Sequence, residues 1–376
     1  MRLPSFSELL DEQRRIYMAD PDQSILVVGP PGSGKTSVAL WRANLLAGPY
    51  YQRQVTVVTK NRLLAALAKQ ISQDHGDAPV TSTTMHALVW NHYKDTFNRA
   101  IPQWSPYNFN WPQVLDDYEA ANVEPSIDHL IIDEGQNLPK EFFIWARRFG
   151  ASTVSVFADE NQSTEDGGCH VADLQEAGFT EMHLLTVNHR NTLEIAELVE
   201  HFHLKRYVPP APAQRGRSNE PPRMITVTSW EELAQQVATR FGNRSGSIGV
   251  IVHQVNDINT LYNLLDDRLP TNVRVDMYAH NAAPQAEDAI RLRDDGITII
   301  SGESAIGLEF DTVYLQDLNR SLPLMNDPVN QRRLYMLCAR ARDTLLLVNG
   351  PSPLTAVQLS SLPPPPFLRS EERRVG

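Results

Sequence analysis

Apolar residues along this chain come in short, nearly unbroken runs separated by stretches of helical spacing. Ile25–Val28 and residues 129–132 are nearly all apolar, and residues 54–59 and 152–158 read as strands in which Val alternates with Thr and Ser. That pattern predicts strands buried on both faces of a parallel sheet. Between them, Lys35 to about Ala47 predicts a helix. So does Asn61 to Ile71, where Leu63, Leu64, Leu67 and Ala68 fall on one face. Residues 7–19 read as a short amphipathic helix and 80–86 as a further β-rich piece. From Trp90 to about Val123 the rhythm breaks, and Trp104, Tyr107, Phe109 and Trp111 lie among prolines. This predicts a small inserted subdomain at about 88–125, whose aromatics belong to a satellite core more readily than to a base-stacking platform. A strand at 182–187 and a helix at 193–204, capped by Thr192, restore the pattern.

A loop rich in Pro, Gly and Arg follows at about 208–222. Strands are then expected at 224–228, 248–253, 273–279, 296–301, 312–315 and 344–348, with helices at 230–241, 256–265, 287–293 and 328–341. Such alternation predicts an α/β fold with mostly parallel sheets covered by helices. The length calls for more than one domain, here 1–187 and 188–350. The Pro-rich tail, 351–376, reads as a flexible or partner-docking end.

Composition narrows the class. The chain is 41% hydrophobic and 21% charged, ordinary for a globular protein. No apolar run reaches the length of a membrane span, and the N-terminal stretch lacks the apolar core of a secretory signal. Cys169 and Cys338 stand far apart without metal-ligand spacing, which fits a reducing, cytoplasmic setting. The net charge of −11 argues against gripping nucleic acid by bulk electrostatics, although a local basic groove is compatible with it.

Candidate chemistry begins where the first apolar run ends. Gly29-Pro-Pro-Gly32-Ser33-Gly34-Lys35-Thr36 is a phosphate-loop pattern with a predicted strand before it and a helix after it. Its glycines let backbone amides close around a phosphate, and the helix N-terminus favours the anion. Lys35 would reach the β- and γ-phosphates of ATP, and the Thr36 hydroxyl would ligate Mg²⁺. Asp133 and Glu134 end another strand. Asp133 would complete the Mg²⁺ shell, and Glu134 would polarise water as general base. Gln13, ahead of the loop, could donate to and accept from an adenine edge. Gln162, beyond the strand at 152–158, could sense the γ-phosphate or orient water. Arg190, at a strand-to-helix turn, is a candidate charge stabiliser. No second phosphate loop opens the second half, so it does not read as a separate ATPase.

In order, these residues resemble the UvrD/Rep/PcrA-like superfamily 1 DNA helicases over about residues 7–349. Gln13 falls at the Q motif, Gly29–Thr36 at motif I, Thr59–Asn61 at Ia, Thr84–His86 at Ib, Asp133–Gln136 at II and Asp159–Gln162 at III. Asn188–Arg190 falls at IV, Gly307–Glu309 at V, and Arg332–Ala341, with Tyr335 and Arg340, at VI. The resemblance implies two RecA-like P-loop NTPase domains with ATP in the cleft between them. It implies that Arg190 and Arg340 act in cis on the γ-phosphate, that Glu309 contacts the ribose, and that His189 replaces the tyrosine stacking on adenine. It further implies hydrolysis coupled to binding and translocation on single-stranded or tailed DNA, with weak 3′-to-5′ unwinding.

Departures from the family pattern cluster where DNA would lie. Glu303 and Ile306 replace a histidine and a lysine, Val58 replaces an aromatic, and Ser163–Gly168 replaces an aromatic base-stacking segment. Ala339 stands for a threonine, and the interval between motifs IV and V leaves no room for a 2B subdomain. These changes imply a weakened grip on DNA. They open an alternative, a helicase-like ATPase serving as regulatory or sensor subunit beside a protein partner such as a nuclease subunit in defence or repair. Nucleotide kinase chemistry is disfavoured by the order of the later motifs.

Overall fold

The computed structural model describes residues 6–370 apart from 61, 75–79, 160–167, 205–210, 219, 284, 293 and 323–326. The chain divides into two compact units at Leu185/Thr186, with the phosphate-loop tip Pro30–Ser33 grouped with the second. Each unit is a RecA-like α/β fold built on a parallel sheet.

In the first unit the strands are β1 (Ile25–Val28), β2 (Val55–Thr59), β3 (Val80–Thr84), β4 (Gln103–Ser105), β5 (Asn108–Phe109), β6 (Ile127–Ile132), β7 (Ala151–Ala158) and β8 (Met182–Leu184). Six of them form one sheet in the order β3-β2-β6-β7-β1-β8, and every pairing is parallel. All four residues of β1 are buried, as the unbroken apolar run requires of a strand covered on both faces. Parallel strands put their C-terminal ends on one edge. That edge carries Gly29, Lys60, Asp133 and Asp159, each just beyond a strand, and such an edge is where α/β sheets bind ligands.

Residues 85–120 do not stand apart from this unit. The helices Met85–Phe97 and Trp111–Ala120 flank an antiparallel β4–β5 hairpin. Tyr93 and Tyr118 are fully buried with ring centroids 5.9 Å apart, and Tyr118 meets Trp145 of the following helix at 6.0 Å. This aromatic cluster docks the helices onto the domain core. The aromatics at the hairpin divide: Phe109 and Trp111 are buried, whereas Trp104 and Tyr107 are exposed.

The second unit contains β9 (Arg223–Thr226), β10 (Ser247–Val252), β11 (Val275–Tyr278), β12 (Gly296–Ser301), β13 (Phe310–Leu315), β14 (Ala341–Asn349) and β15 (Arg369–Ser370). Their order is β11-β12-β10-β13-β14-β9-β15, again parallel throughout. Ile248, Val250 and Val252 alternate onto one face and join Leu233, Val237, Leu261 and Leu265 of the helices Trp230–Asn243 and Val255–Asp266. On β10, Gly249 lies under the Phe310 ring, where a Cβ would come within 2.4 Å of Phe310 Cδ2.

Three expectations are corrected here. The helix at 287–293 is only a 3-10 turn, Ala286–Ala289. Its buried apolar residues, Ile290 and Leu292, are spaced two apart, an extended rather than a helical stripe. Thr192 occupies the N-cap of Leu193–His201, yet its hydroxyl makes no capping bond. The tail is not simply a flexible end. Leu354, Leu362 and Leu368 are buried, and β15 pairs with Arg223 and Met224 of β9. The start of the loop at 208–222, residues 371–376 and Gln162 lie outside the described residues. Among the described residues no helix is long and apolar enough to cross a membrane.

Candidate nucleotide-binding site

Gly29 leaves β1, and the helix Lys35–Ala47 starts after Gly34, which has φ +84° as the helix N-cap. Gly32, at φ +74°, takes the same left-handed region, the conformation that glycine alone adopts without cost. The turn is tightened by Ser33, whose hydroxyl donates to the Pro30 carbonyl at 2.8 Å. Lys35 folds back and donates to the Gly29 carbonyl at 2.7 Å, and its ammonium lies 3.8 Å from Asp159 Oδ2. Both side chains are buried, so the lysine is held within the loop it would share with a phosphate.

Thr36 Oγ1 donates to Asp133 Oδ2 at 2.7 Å, joining the loop helix to the end of β6. The other oxygen, Asp133 Oδ1, is buried with no hydrogen-bond partner. Burial, and then the charge of Glu134, pushes the Asp133 carboxyl above the usual carboxylate range, against the opposing pull of the Thr36 bond and Lys35. A hydroxyl touching a buried, underpartnered carboxylate is a donor set that suits a hard divalent cation such as Mg²⁺. Among the described residues no cluster of three or more His, Cys, Asp or Glu offers another metal site.

Glu134 is buried with φ +56°, left-handed for a residue with a Cβ. Its Oε2 accepts from Gln136 Nε2 at 2.6 Å, and Gln136 Oε1 accepts from the Asp159 amide at 2.9 Å. Gln136 thus fastens the carboxylate after β6 to the loop after β7.

Gln13 sits on the helix Asp11–Tyr17 and is buried. Its Oε1 accepts from the Leu10 amide at 3.0 Å, and its Nε2 faces Gly34, where a Cβ would come within 2.5 Å. The acceptor expected to face adenine is therefore engaged with the backbone. Arg42, fully buried on the loop helix, holds this region together. Its guanidinium donates to the carbonyls of Ile16 at 3.2 Å, Ala19 at 2.8 Å and Asp20 at 3.0 Å, and to Ser155 Oγ at 3.2 Å.

In the second unit, Arg190 and Glu309 meet: Arg190 Nε lies 2.5 Å from Glu309 Oε2. Burial raises the Glu309 carboxyl, but the surrounding positive charges together, Arg190 first and Arg342 after it, hold the group below the usual carboxylate range. His189 Nδ1 lies 2.7 Å from Gln214 Oε1. Arg340 is buried and donates to the carbonyls of Met336 at 2.9 Å and Leu308 at 3.3 Å. Asn191 ties the two segments together. Its Nδ2 donates to the Ala339 carbonyl at 3.2 Å and also to Ala341, and its Oδ1 accepts from Asn188 at 2.8 Å.

Glu303, where the family pattern has histidine, belongs to an ionic chain. Arg333 lies 3.6 Å from Glu303 and bonds Asp317, which also takes His253 Nδ1 at 2.9 Å. Sequence reasoning assigned no role to Arg42, Gln136, Asn191, Arg333 or Asp317. Gln136 carried a signal, its place in the Asp-Glu-Gly-Gln run, and Arg333 fell inside the Arg332–Ala341 run without a role of its own.

Residues 13–168 match a family model described as an AAA domain, over less than half of the chain. No curated protein matches the sequence. A solved structure described as "The structure of PRRSV helicase" is 14% identical, with a TM-score of 0.42 over 90% of this chain. The chain spans 54% of that protein, roughly half its length.

Proposed function

We propose that this chain is an ATPase of the UvrD/Rep/PcrA-like superfamily 1 type whose Mg²⁺-dependent hydrolysis is coupled to binding and translocation on single-stranded or tailed DNA. The observation that carries the ATPase reading is the joining of Lys35, Thr36, Asp133, Glu134 and Asp159 at one sheet edge through Thr36–Asp133, Lys35–Asp159 and Gln136. Thr36 and Asp133 hold Mg²⁺. When bound, the cation supplies charge neutralisation on the phosphate oxygens. Lys35 exchanges the Gly29 carbonyl for phosphate oxygen, Glu134 takes the proton of the attacking water, and Gln136 keeps that carboxylate oriented. Arg190 and Arg340 serve as charge stabilisers, and Glu309 and His189 serve the nucleoside. Gln162 senses the γ-phosphate. The motif order in the sequence supports the helicase type, and the AAA-domain match supports its nucleotide-hydrolysing half.

The test is the rate of phosphate release without nucleic acid and with single-stranded DNA, duplex DNA and RNA in parallel. Stimulation by single strands supports the reading. Hydrolysis indifferent to every nucleic acid defeats the coupling while leaving the ATPase intact.

A second reading rests on the ion pairs of Arg333 with Glu303 and Asp317, which satisfy charges internally where the family pattern faces DNA. In it the ATPase is a regulatory or sensor subunit of an effector complex with a nuclease subunit. Purification at native abundance that recovers a stoichiometric nuclease partner favours this reading.

A further inference from the structure

A cleft of about 470 Å³ opens on the first unit beside the Gly135–Asn137 turn, within the range of small-molecule sites. Lys60, His86, Trp104, Tyr107 and Glu141 are among its lining residues. Trp104 is 69% exposed and Tyr107 is 79% exposed, an unusual cost for large aromatic surface unless something covers it. Trp104 stacks on no other ring among the described residues.

The hairpin presenting them is built stiffly. Tyr107 holds φ +64° directly after Pro106, at a turn position that normally takes Gly or Asn. His86 Nε2 lies 2.7 Å from the Tyr107 carbonyl, and the His86 ring meets Tyr107 edge-on at 5.7 Å and Phe109 at 5.4 Å. A strained tyrosine pinned from below and left open above is a presented side chain, not a packed one.

We infer that this cleft is a nucleobase subsite for single-stranded nucleic acid, with Trp104 and Tyr107 as the stacking surfaces and Lys60 taking the adjoining phosphate. The inference rests on the nucleic-acid coupling proposed above. Glu141 disfavours phosphate inside the cleft, which leaves the base as the part of the strand that enters. Every base has a π-face, so such a subsite is sequence-tolerant. It also supplies stacking that the altered motif Ia and III positions lack.

The experiment uses the full chain, a fluorescein-labelled oligothymidylate and anisotropy at low salt, with Trp104→Ala, Tyr107→Ala, the double variant and Trp104→Phe. Each alanine variant is expected to weaken binding roughly tenfold, and Trp104→Phe should retain most of the affinity. Both side chains are exposed, so melting temperatures should match wild type and separate lost binding from lost folding. An oligonucleotide carrying 4-thiothymidine should cross-link within residues 103–111. If wild type binds and the double variant binds equally well, the subsite is wrong while the coupling stands. If wild type binds no single strand, the coupling and the subsite fall together.

Discussion

Glu134 holds a left-handed backbone at φ +56°, which costs a residue with a Cβ roughly 1–2 kcal/mol. The hydrogen bond from Gln136 holds its carboxylate in that geometry. A proton acceptor so fixed should be separable from nucleotide binding. Glu134→Gln is expected to keep ATP affinity within a few-fold and to slow phosphate release by about 10²–10⁴, measured by nucleotide titration and single-turnover hydrolysis. Near wild-type turnover would remove Glu134 from the base role. Arg190 and Glu309 form a second residue-level unit. The sequence suggested separate duties for them, on the γ-phosphate and the ribose, whereas the folded chain pairs them at 2.5 Å. A double-mutant cycle of Arg190→Ala and Glu309→Gln on denaturant stability should show coupling of about 0.5–3 kcal/mol. Additive effects would mean that the pair contributes nothing.

At the level of elements, β1, its loop and the helix Lys35–Ala47 were legible because an unbroken apolar run, the glycine spacing and helical periodicity all changed within a few residues. Arg42 was not legible. A charge inside a helix reads as a solvent face, and only the fold brings it to the carbonyls of Ile16, Ala19 and Asp20. The β15 pairing was hidden for the same reason, since a two-residue strand beyond a proline run has no local periodicity. His129 in β6 shows what this buried layer implies. Burial, and then Arg42, presses its imidazole down to about 3, and its Nε2 lies 2.9 Å from the Ser155 hydroxyl that Arg42 also bonds. The folded base is depressed below its unfolded value near 6.5, so the unfolded chain binds the extra proton between pH 6.5 and 3. Stability is complete above pH 6.5 and falls as pH drops through that window, by at most about 1.4 kcal/mol per pH unit. Chemical denaturation at pH 7.5 and 5.0 should show this loss in wild type. It should be smaller in His129→Gln, whatever that substitution costs at pH 7.5. An equal loss in both would exclude His129 as its source.

For the whole molecule, charge decides how nucleic acid can be held. Under the proposed coupling to DNA, a net charge of −11 opposes long-range attraction to a polyanion, so binding would rest on local cations and on stacking. The ionic chain around Arg333 subtracts one more cation, because its guanidinium already serves Glu303 and Asp317. Each phosphate neutralised on a single strand contributes about −0.7 to the slope of log affinity against log salt concentration. A chain contacting about three phosphates should therefore give a slope near −2, far shallower than a basic groove tracking many. Anisotropy titrations with single-stranded DNA between 50 and 200 mM salt, concentrations over which many-phosphate binders lose orders of magnitude, measure it directly. A shallow slope together with strong dependence on Trp104 and Tyr107 would mean that stacking carries the affinity. A steep slope would reveal a basic surface dominating the binding and would overturn the view that stacking on Trp104 and Tyr107 makes up for contacts the altered motif positions lack.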